Sequence, residues 1–492
     1  MQPARAWTGV LTLLGTGLCV SDVVAVHPGH LSFDSVEQLG QALDSSTTTD
    51  WHPPVMTALW GVLLELTGGS VGSMVVVQLG LLWASLTVLA VYVLRVSGRR
   101  VLSLLPLLLG TLPHVAAVSG VVWKDAQLAF SLLAAVLLLL YVRRGVRRAG
   151  LRSAAVAAVV LLLAYAGAVR YNALPAIVPL VFLLTWPGVR RPRRTRALLA
   201  GTAVVGALVA NPLVGVVRPV EETHPAASVM LDDVLHLYSR AELRSADVSP
   251  PLRRYLVTLA TTCPPSTRDV NYTWRCANTT RAVPAVLSTH ADELEELYVA
   301  GIAERPLRYA TFRLRVFGEF LVTPSDEVLV TWTTIDENPY GLRSEPNPVT
   351  RAREASVAAA IEHAGALFEP WVWLLAALVL CGVAVRTRAG TSHAGVVLAV
   401  GLSSTAYVLA YLPVVIGYDY RFVYWPAVGV SVAAVLLLLD RRVAVEGAPT
   451  PGAEGSGLTL PPAPPAPGGP AESVGPPGAA APARPSSPGS TT

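Results

Sequence analysis

The chain has 492 residues, of which 52% are hydrophobic and only 14% are charged. Average soluble proteins have about 25% charged residues, so this composition excludes a soluble enzyme with one large globular core. The net charge of +4 comes from arginines in short loops between long apolar segments. This pattern predicts a multi-pass membrane protein and gives no indication of a nucleic-acid partner.

The first apolar segment, residues 6–26, follows Arg5. A basic residue before a span favours a cytoplasmic N-terminus, and a cleaved signal peptide is the alternative. Because no cleavage site of the small-x-small type follows the segment, we expect an uncleaved membrane anchor.

Arginine clusters follow five later apolar segments and indicate the orientation of the chain. If each cluster is cytoplasmic, those five spans run from outside to inside, and the intervening spans run back. We therefore expect about ten helices in the plasma membrane, with both termini in the cytoplasm. The expected spans are residues 6–26, 73–94, 101–121, 126–142, 153–169, 173–187, 197–217, 370–385, 392–415 and 423–439.

Residues 53–68 are also apolar, but a helix of this length would extend only about 24 Å. Counting it as a span would put the next arginine cluster outside, so we expect a juxtamembrane or re-entrant helix near the outer surface. Pro53 and Pro54 suit its first turn. A second interfacial helix is expected at 35–43 because apolar residues share one face. That face holds Val36, Leu39 and Leu43, whereas Glu37, Gln38 and Gln41 lie elsewhere.

The fold class expected from these patterns is a mainly α-helical membrane bundle with an extracytoplasmic domain. Within that domain, residues 292–320 have a helical pattern that is broken near Pro306. The last region is rich in Pro, Gly and Ala, which predicts a disordered cytoplasmic tail. The regions are an N-terminal transmembrane region at 1–217 with its first outer loop at 27–72, the extracytoplasmic domain at 218–368, a C-terminal transmembrane region at 369–440 and the tail at 441–492.

Cysteine usage gives one expectation about the extracytoplasmic domain. Cys263 and Cys276 lie in a polar stretch, and a disulfide between them is expected if the domain faces an oxidising compartment. The pair is too sparse for a metal site. The sequence also contains no HExxH or Walker motif, so zinc hydrolysis and soluble nucleotide chemistry have no support.

The first outer loop concentrates acidic residues between apolar segments. Asp34 and Glu37 have the spacing of a capping box, with Asp34 as the N-cap. Capping alone accounts for both residues, but an aspartate fixed in this way is also suited to act as a general base. Asp50 is expected to cap the helix that begins at Pro53, and Trp51 and His52 precede that helix.

Three cations lie at turns that the expected topology places outside, although basic residues usually concentrate in cytoplasmic loops. Lys124 is the only lysine in the chain, and a compact ammonium suits a phosphate oxygen or a carboxylate. The alternative is a lysine that reaches the interface and pairs with Asp125. Arg170 and Arg421 have the same two interpretations: an arginine at a helix end that extends to the interface, or part of an anion site.

These motifs resemble those of GT-C class glycosyltransferases, in particular bacterial relatives of dolichyl-phosphate-mannose mannosyltransferases. Asp34 is similar to the acid of their first outer loop, and His52-Pro53-Pro54 to their Lys/His-Pro-Pro element. Arg170-Tyr-Asn and Arg421-Phe-Val-Tyr-Trp-Pro look like their basic outer turns. Many members have an Asp-Glu pair where this chain has Asp34-Ser35.

The resemblance implies transfer of a sugar from a polyprenyl-phosphate donor in the membrane to a glycan, lipid or protein acceptor. It leaves the involvement of a divalent metal open. Two alternatives remain at this point, a transporter or flippase of a lipid-linked glycan and a non-catalytic scaffold. The implied roles are Asp34 and Glu37 in catalysis, Lys124, Arg170 and Arg421 at the donor phosphate, and Asp50, Trp51 and His52 at the sugar or acceptor.

Overall fold

The computed structural model describes most of the chain up to Glu446. The disulfide candidates Cys263 and Cys276, and the tail from residue 447, lie outside the described residues, so both expectations stay predictions. The described ranges are 2–143, 148–185, 193–262, 285–323, 328–387, 393–415 and 417–446.

The described chain is mainly α-helical, which confirms the expected fold class. Extended strands do not occur in these ranges; short 3-10 helices occur at Ser45–Thr47, Leu102–Leu104, Gly365–Phe368 and Tyr420–Val423. The α-helices are α1 (Gln2–Val26), α2 (Phe33–Leu43), α3 (Pro54–Leu66), α4 (Ser73–Ser97), α5 (Leu105–Thr111), α6 (Pro113–Ser119), α7 (Lys124–Arg143), α8 (Ala149–Ala168), α9 (Leu174–Thr185), α10 (Arg193–Val217), α11 (Ala226–Leu237), α12 (Arg240–Ser245), α13 (Pro250–Thr262), α14 (Ala285–Thr289), α15 (Ala291–Glu304), α16 (Pro306–Leu321), α17 (Pro348–Ala364), α18 (Pro370–Thr387), α19 (Ala394–Leu409) and α20 (Tyr424–Glu446).

All ten expected spans fall on helices, but not all of these helices are long enough to cross a bilayer. Among the described residues, seven helices are long and apolar enough, and α5 with α6 makes an eighth if the bent pair is one span. The pair bends by 50°, and Pro113, which lacks an N–H, begins its second half. The two remaining apolar stretches form the shorter helices α9 and α19.

The first outer loop folds into the two short helices that the sequence predicts. α3 has 13 residues with Pro54 in its first turn, and α2 packs against it. The predicted face of α2 is partly wrong. Gln38 and Gln41 are buried, whereas Leu43 is 49% exposed. The glutamines can be buried because their amides donate hydrogen bonds, Gln38 to the Asp34 carbonyl and Gln41 to Thr49.

The region after α10 has its own hydrophobic cluster, built by residues between Ala227 and Leu294. The expected helix break is confirmed, because α15 ends at Glu304 and α16 begins at Pro306. On α16, Arg313 is buried and donates to Asp233 at 2.5 Å and to the Val415 carbonyl at 3.1 Å. The hydrogen bonds of Arg313 therefore connect the region after α10 to the turn that follows α19.

Backbone pairing between distant loops holds the first outer loop in place. The Leu31 N–H donates to the Thr334 carbonyl, and the Asp336 N–H donates to the Leu31 carbonyl. These hydrogen bonds satisfy loop groups that no helix pairs. The parallel bridges are His30 with Val121, Leu31 with Ile335, Thr49 with Glu221, and Leu329 with Asp419.

Candidate active site

A cavity of about 1700 Å³ lies where these loops meet the first turn of α7 and the turn after α19. It brings together most of the residues that the sequence predicts. Glu37 is the exception, because its side chain does not contribute to the cavity wall. The predicted residues that line the cavity are Asp34, Asp50, Trp51, His52, Lys124, Arg170 and Arg421.

Asp34 lies in the first turn of α2 and is not its N-cap, so the capping-box prediction is wrong. The N-cap is Ser32, which makes no side-chain capping bond. Its hydroxyl accepts a hydrogen bond from the Trp123 indole at 2.7 Å instead. The Asp34 side chain is consequently free of a capping role, and its Oδ2 accepts from Arg421 Nη1 at 2.8 Å.

The charge state of Asp34 follows from its neighbours. Burial opposes its ionisation, but the charges of Arg421, His52 and Lys124 and the hydrogen bond from Arg421 outweigh this. They hold the pKa of Asp34 well below its ordinary range. Its position in the first turn of a helix adds a smaller effect in the same direction. The group is a carboxylate at any physiological pH.

Glu37 lies one turn after Asp34 on α2, close behind the cavity wall. Its Oε2 is buried and has no hydrogen-bond partner within the described part of the chain. Burial and then the charge of Asp34 raise the pKa of Glu37 to about 7. Two neighbouring carboxyls thus have widely separated pKa values, an arrangement that is typical of acid–base sites.

His52 joins Lys124 to the two carboxyls. Its Nδ1 lies 2.9 Å from the Lys124 Nζ. Its Nε2 lies 4.0 Å from Asp34 Oδ1 and 3.9 Å from Glu37 Oε2. Burial and then the charge of Lys124 lower the pKa of His52 to about 3, with Arg421 and Arg170 acting in the same direction. The imidazole is therefore neutral at neutral pH.

The pairing of the three cations differs from the expectation. Asp125 makes its ion pair with Arg170 and not with Lys124, so the alternative of a Lys124–Asp125 pair is wrong. Lys124 has no ion pair in the ranges that the structure covers. Arg421 also donates to Asp419 at 2.9 Å, and burial raises the pKa of Asp419.

Aromatic rings hold both arginines at the cavity. The Arg421 guanidinium lies 4.6 Å from the centre of the Trp123 ring, and that of Arg170 lies 5.1 Å from the Phe422 ring. Contacts of this kind stabilise a cation over an aromatic face. The two side chains are also mostly buried, at 17% and 10% exposure. They face the cavity and do not extend outward to an interface.

Asp50 has a structural role that differs from the prediction. Its Oδ1 accepts from the N–H and the hydroxyl of Thr223, both at 2.6 Å. The N-cap of α3 is Pro53, which has no side-chain capping bond, so Asp50 does not cap that helix. The residue ties the first outer loop to the segment after α10. Trp51 lines the cavity beside it.

Sequence reasoning missed an acidic pair on the cavity wall, Asp336 and Glu337. Burial raises the pKa of Asp336, and the nearby charge of Asp34 adds to this effect. Two adjacent acids are visible in the sequence, but their position depends on the bridge between Leu31 and Ile335. That contact joins segments about 300 residues apart in the sequence, so no local pattern reveals it.

The geometry of the site also bears on whether a divalent metal takes part, a question that the sequence leaves open. Within the described residues, no group of three or more His, Cys, Asp or Glu side chains is placed to hold a metal ion. The carboxylate of Asp34 is paired with Arg421 and lies close to Lys124. Positive charge on that side opposes a divalent cation. The donor set therefore does not fit a catalytic metal.

Comparison with known proteins gives one result. No protein-family model matches the chain, and no curated protein does either. Among solved structures, the chain is similar to the apo crystal structure of ArnT from Cupriavidus metallidurans, with 16% identity and a TM-score of 0.35. The match covers 84% of this chain and 78% of that chain. At this degree of likeness, the function has to be inferred from the chain's own residues.

Proposed function

We propose that this protein is an integral-membrane glycosyltransferase. In this proposal it moves a sugar from a polyprenyl-phosphate donor to an acceptor at the outer face of the plasma membrane. One observation carries the proposal: an ionised Asp34 and three cations line the same cavity, next to the apolar helices. A base and an anion site side by side are what glycosyl transfer from a phosphate leaving group requires.

The cations would bind the donor phosphate and stabilise the charge that develops on it as the bond to the sugar breaks. Lys124 is the best suited of the three, because it contacts neutral His52 and makes no ion pair with a carboxylate among the described residues. Arg170 and Arg421 are already paired with aspartates. Hydrogen bonds to charged groups contribute about 1.5–3 kcal/mol each, and they act most strongly in a water-poor site.

Asp34 would act as the general base for the acceptor hydroxyl, a role that contributes roughly 10²- to 10⁴-fold in rate. Because its pKa is low, it accepts a proton only after the hydroxyl has become acidic. That condition is met when the new bond to the anomeric carbon is largely formed. The base therefore fits a reaction in which bond formation runs ahead of proton transfer.

The remainder of the cavity fits a lipid-linked donor. Its volume of about 1700 Å³ exceeds the roughly 300–1,000 Å³ of ordinary small-molecule sites. Apolar residues of its wall come from the start of α9 and the turn after α19, where a polyprenyl chain would leave towards the bilayer. They are Leu174, Pro175, Ala410, Pro413 and Val414.

Donor binding tests this proposal directly. Purified protein is titrated in detergent with a panel of polyprenyl-phosphate sugars, with Lys124→Gln as the variant. Wild type should bind one donor saturably, and Lys124→Gln should bind it about 10- to 100-fold more weakly, as expected for one charged hydrogen bond. The matched control is Arg95→Gln, which removes one positive charge from an exposed position at the inner end of α4.

Two results would contradict the proposal. The first is a well-folded wild type that binds no member of the panel, and the second is equal binding by Lys124→Gln and Arg95→Gln. A transporter or flippase of a lipid-linked glycan would bind the donor but never consume it. Consumption of the bound donor in the presence of cell-envelope acceptors therefore separates that class from an enzyme.

A further inference from the structure

The Nε2 atom of His52 is the most unusual polar atom at the cavity. His52 is only 2% exposed, and its Nε2 has no hydrogen-bond partner among the described residues. Leaving such a group unpaired in a folded protein is destabilising. The residue also lines the cavity, so a substrate group can supply the missing partner.

The contact with Lys124 determines which ring nitrogen of His52 carries the hydrogen. With Lys124 as an ammonium, which has only hydrogens to offer, its Nζ donates and His52 Nδ1 accepts at 2.9 Å. In a neutral imidazole the other nitrogen then carries the hydrogen. Nε2 is therefore an N–H donor that lies 4.0 Å from Asp34 Oδ1 and 3.9 Å from Glu37 Oε2.

The spacing of these atoms identifies the chemical group that fits between them. Nε2 and Asp34 Oδ1 are 4.0 Å apart, so one oxygen can lie at about 2.8–2.9 Å from both. That oxygen has to accept from Nε2–H and donate to the carboxylate. A hydroxyl does both, whereas a phosphate or a carboxylate oxygen has no hydrogen to donate.

We propose that His52 Nε2–H and Asp34 Oδ1 together hold the reacting hydroxyl of the acceptor, and that Lys124 is the positioning residue that fixes the required tautomer of His52. This inference rests on the proposed function and adds that the acceptor is an alcohol. One lone pair of the hydroxyl oxygen accepts the hydrogen bond from His52, and the other attacks the anomeric carbon. The anomeric carbon–phosphate oxygen bond breaks with its electron pair on the phosphate, and the hydroxyl proton passes to Asp34.

Charged and titratable groups reach this site from every side. Asp34 and Glu37 come from α2, Lys124 from α7, Arg170 from the turn after α8, and Arg421 from the turn after α19. Burial, together with the charges of Lys124, Arg421 and Arg170, disfavours a positive charge on the imidazole and outweighs the opposite effect of Asp34. His52 thus remains a neutral donor throughout the reaction, and it does not compete with Asp34 for the proton.

A pair of amide substitutions separates the two nitrogens of His52. The amide N–H of Gln at this position reaches the place of Nε2, whereas the shorter Asn side chain reaches only the place of Nδ1. We expect His52→Gln to keep donor affinity and most of the kcat. His52→Asn should keep donor affinity but lose about 10- to 100-fold in kcat/KM for the acceptor, as for one hydrogen bond to a buried group.

The tautomer has its own readout, which does not depend on activity. In ¹⁵N-histidine-labelled wild type, the two nitrogen signals that disappear in His52→Gln belong to His52. They should report a neutral ring with hydrogen on Nε2, and Lys124→Met should change the ratio of the tautomers. A ring with hydrogen on Nδ1, or a protonated ring at pH 7, would overturn the inference.

The outcomes distinguish this inference from the proposed function. If wild type transfers sugar and the Gln and Asn variants are equally active, the role of His52 is wrong and the proposed function stands. If wild type transfers sugar from no donor to any alcohol, the proposed function fails, and the role of His52 fails with it.

Discussion

At the level of single residues, the site depends on the different charge states of three neighbours. Asp34 is ionised, because Arg421 and Lys124 outweigh the effect of its burial. Glu37 holds its proton up to a pH of about 7, since burial and the charge of Asp34 oppose its ionisation. His52 is neutral. Each state follows from burial and nearby charge and not from the residue type alone.

The raised pKa of Glu37 predicts a dependence of stability on pH. An unfolded glutamate has a pKa of about 4.3, so between this value and about 7 only the folded state binds the proton. Stability must then fall as the pH rises through that interval. We expect wild type to lose Tm relative to Glu37→Gln between pH 4.5 and 7, with no further divergence below pH 4.

Thermal unfolding of both proteins in detergent, measured at a series of pH values, tests this prediction. The matched control is Glu65→Gln, which changes an exposed glutamate on α3. Parallel pH curves for wild type and Glu37→Gln would show that folding does not raise the pKa of Glu37, contrary to this prediction.

At the level of elements, α8 packs closely against α9 and α10 through a glycine. A Cβ at Gly167 would lie 2.6 Å from the Cβ of Ala207 and would also overlap Ile177. Small residues at such crossings allow membrane helices to approach each other closely. By contrast, a Cβ at Gly201 on α10 would meet nothing within 4 Å.

These two glycines predict opposite effects of the same substitution. Gly167→Ala should lower the Tm, because overpacking costs about 1–3 kcal/mol. Gly201→Ala should leave the Tm unchanged or raise it, since alanine is the better helix former by roughly 1 kcal/mol. Thermal unfolding of both variants beside wild type measures the difference. A Tm for Gly167→Ala at or above that of Gly201→Ala would contradict the close packing.

The elements also show what sequence alone can predict. Apolar periodicity is local, so the positions of the membrane helices and the break at Pro306 follow from neighbouring residues. The contact of Asp34 with Arg421 spans 387 residues, and no local pattern indicates it. The capping-box prediction is wrong for the same reason. Both side chains at the start of α2 bind partners from distant segments: the Ser32 hydroxyl accepts from the Trp123 indole, and the Asp34 carboxylate accepts from Arg421.

At the level of the whole molecule, the cavity and Arg95 lie at opposite ends of the apolar helices. Lys124 begins α7 at the cavity, whereas Arg95 is in the last turn of α4. From the positive-inside rule we expect Arg95 in the cytoplasm, and we therefore propose that the cavity faces outward.

Cysteine accessibility tests this topology. In a background without native cysteines, Glu295→Cys at the cavity mouth should react with a membrane-impermeant maleimide in intact cells. Arg99→Cys, at the other end of the bundle, should react only after permeabilisation. Reaction of both positions, or of Arg99→Cys alone, in intact cells would contradict an outward-facing site.

The most direct test of the central claim is sugar transfer by Asp34→Asn. Purified wild type and variant are incubated with a labelled polyprenyl-phosphate sugar and cell-envelope acceptors, with donor binding measured in parallel. The control variant is Glu65→Gln, which removes one negative charge from an exposed position on α3, away from the cavity wall. Wild type should transfer the sugar, and Asp34→Asn should bind the donor but transfer it roughly 10²- to 10⁴-fold more slowly. Transfer by Asp34→Asn at the wild-type rate would show that Asp34 is not the base.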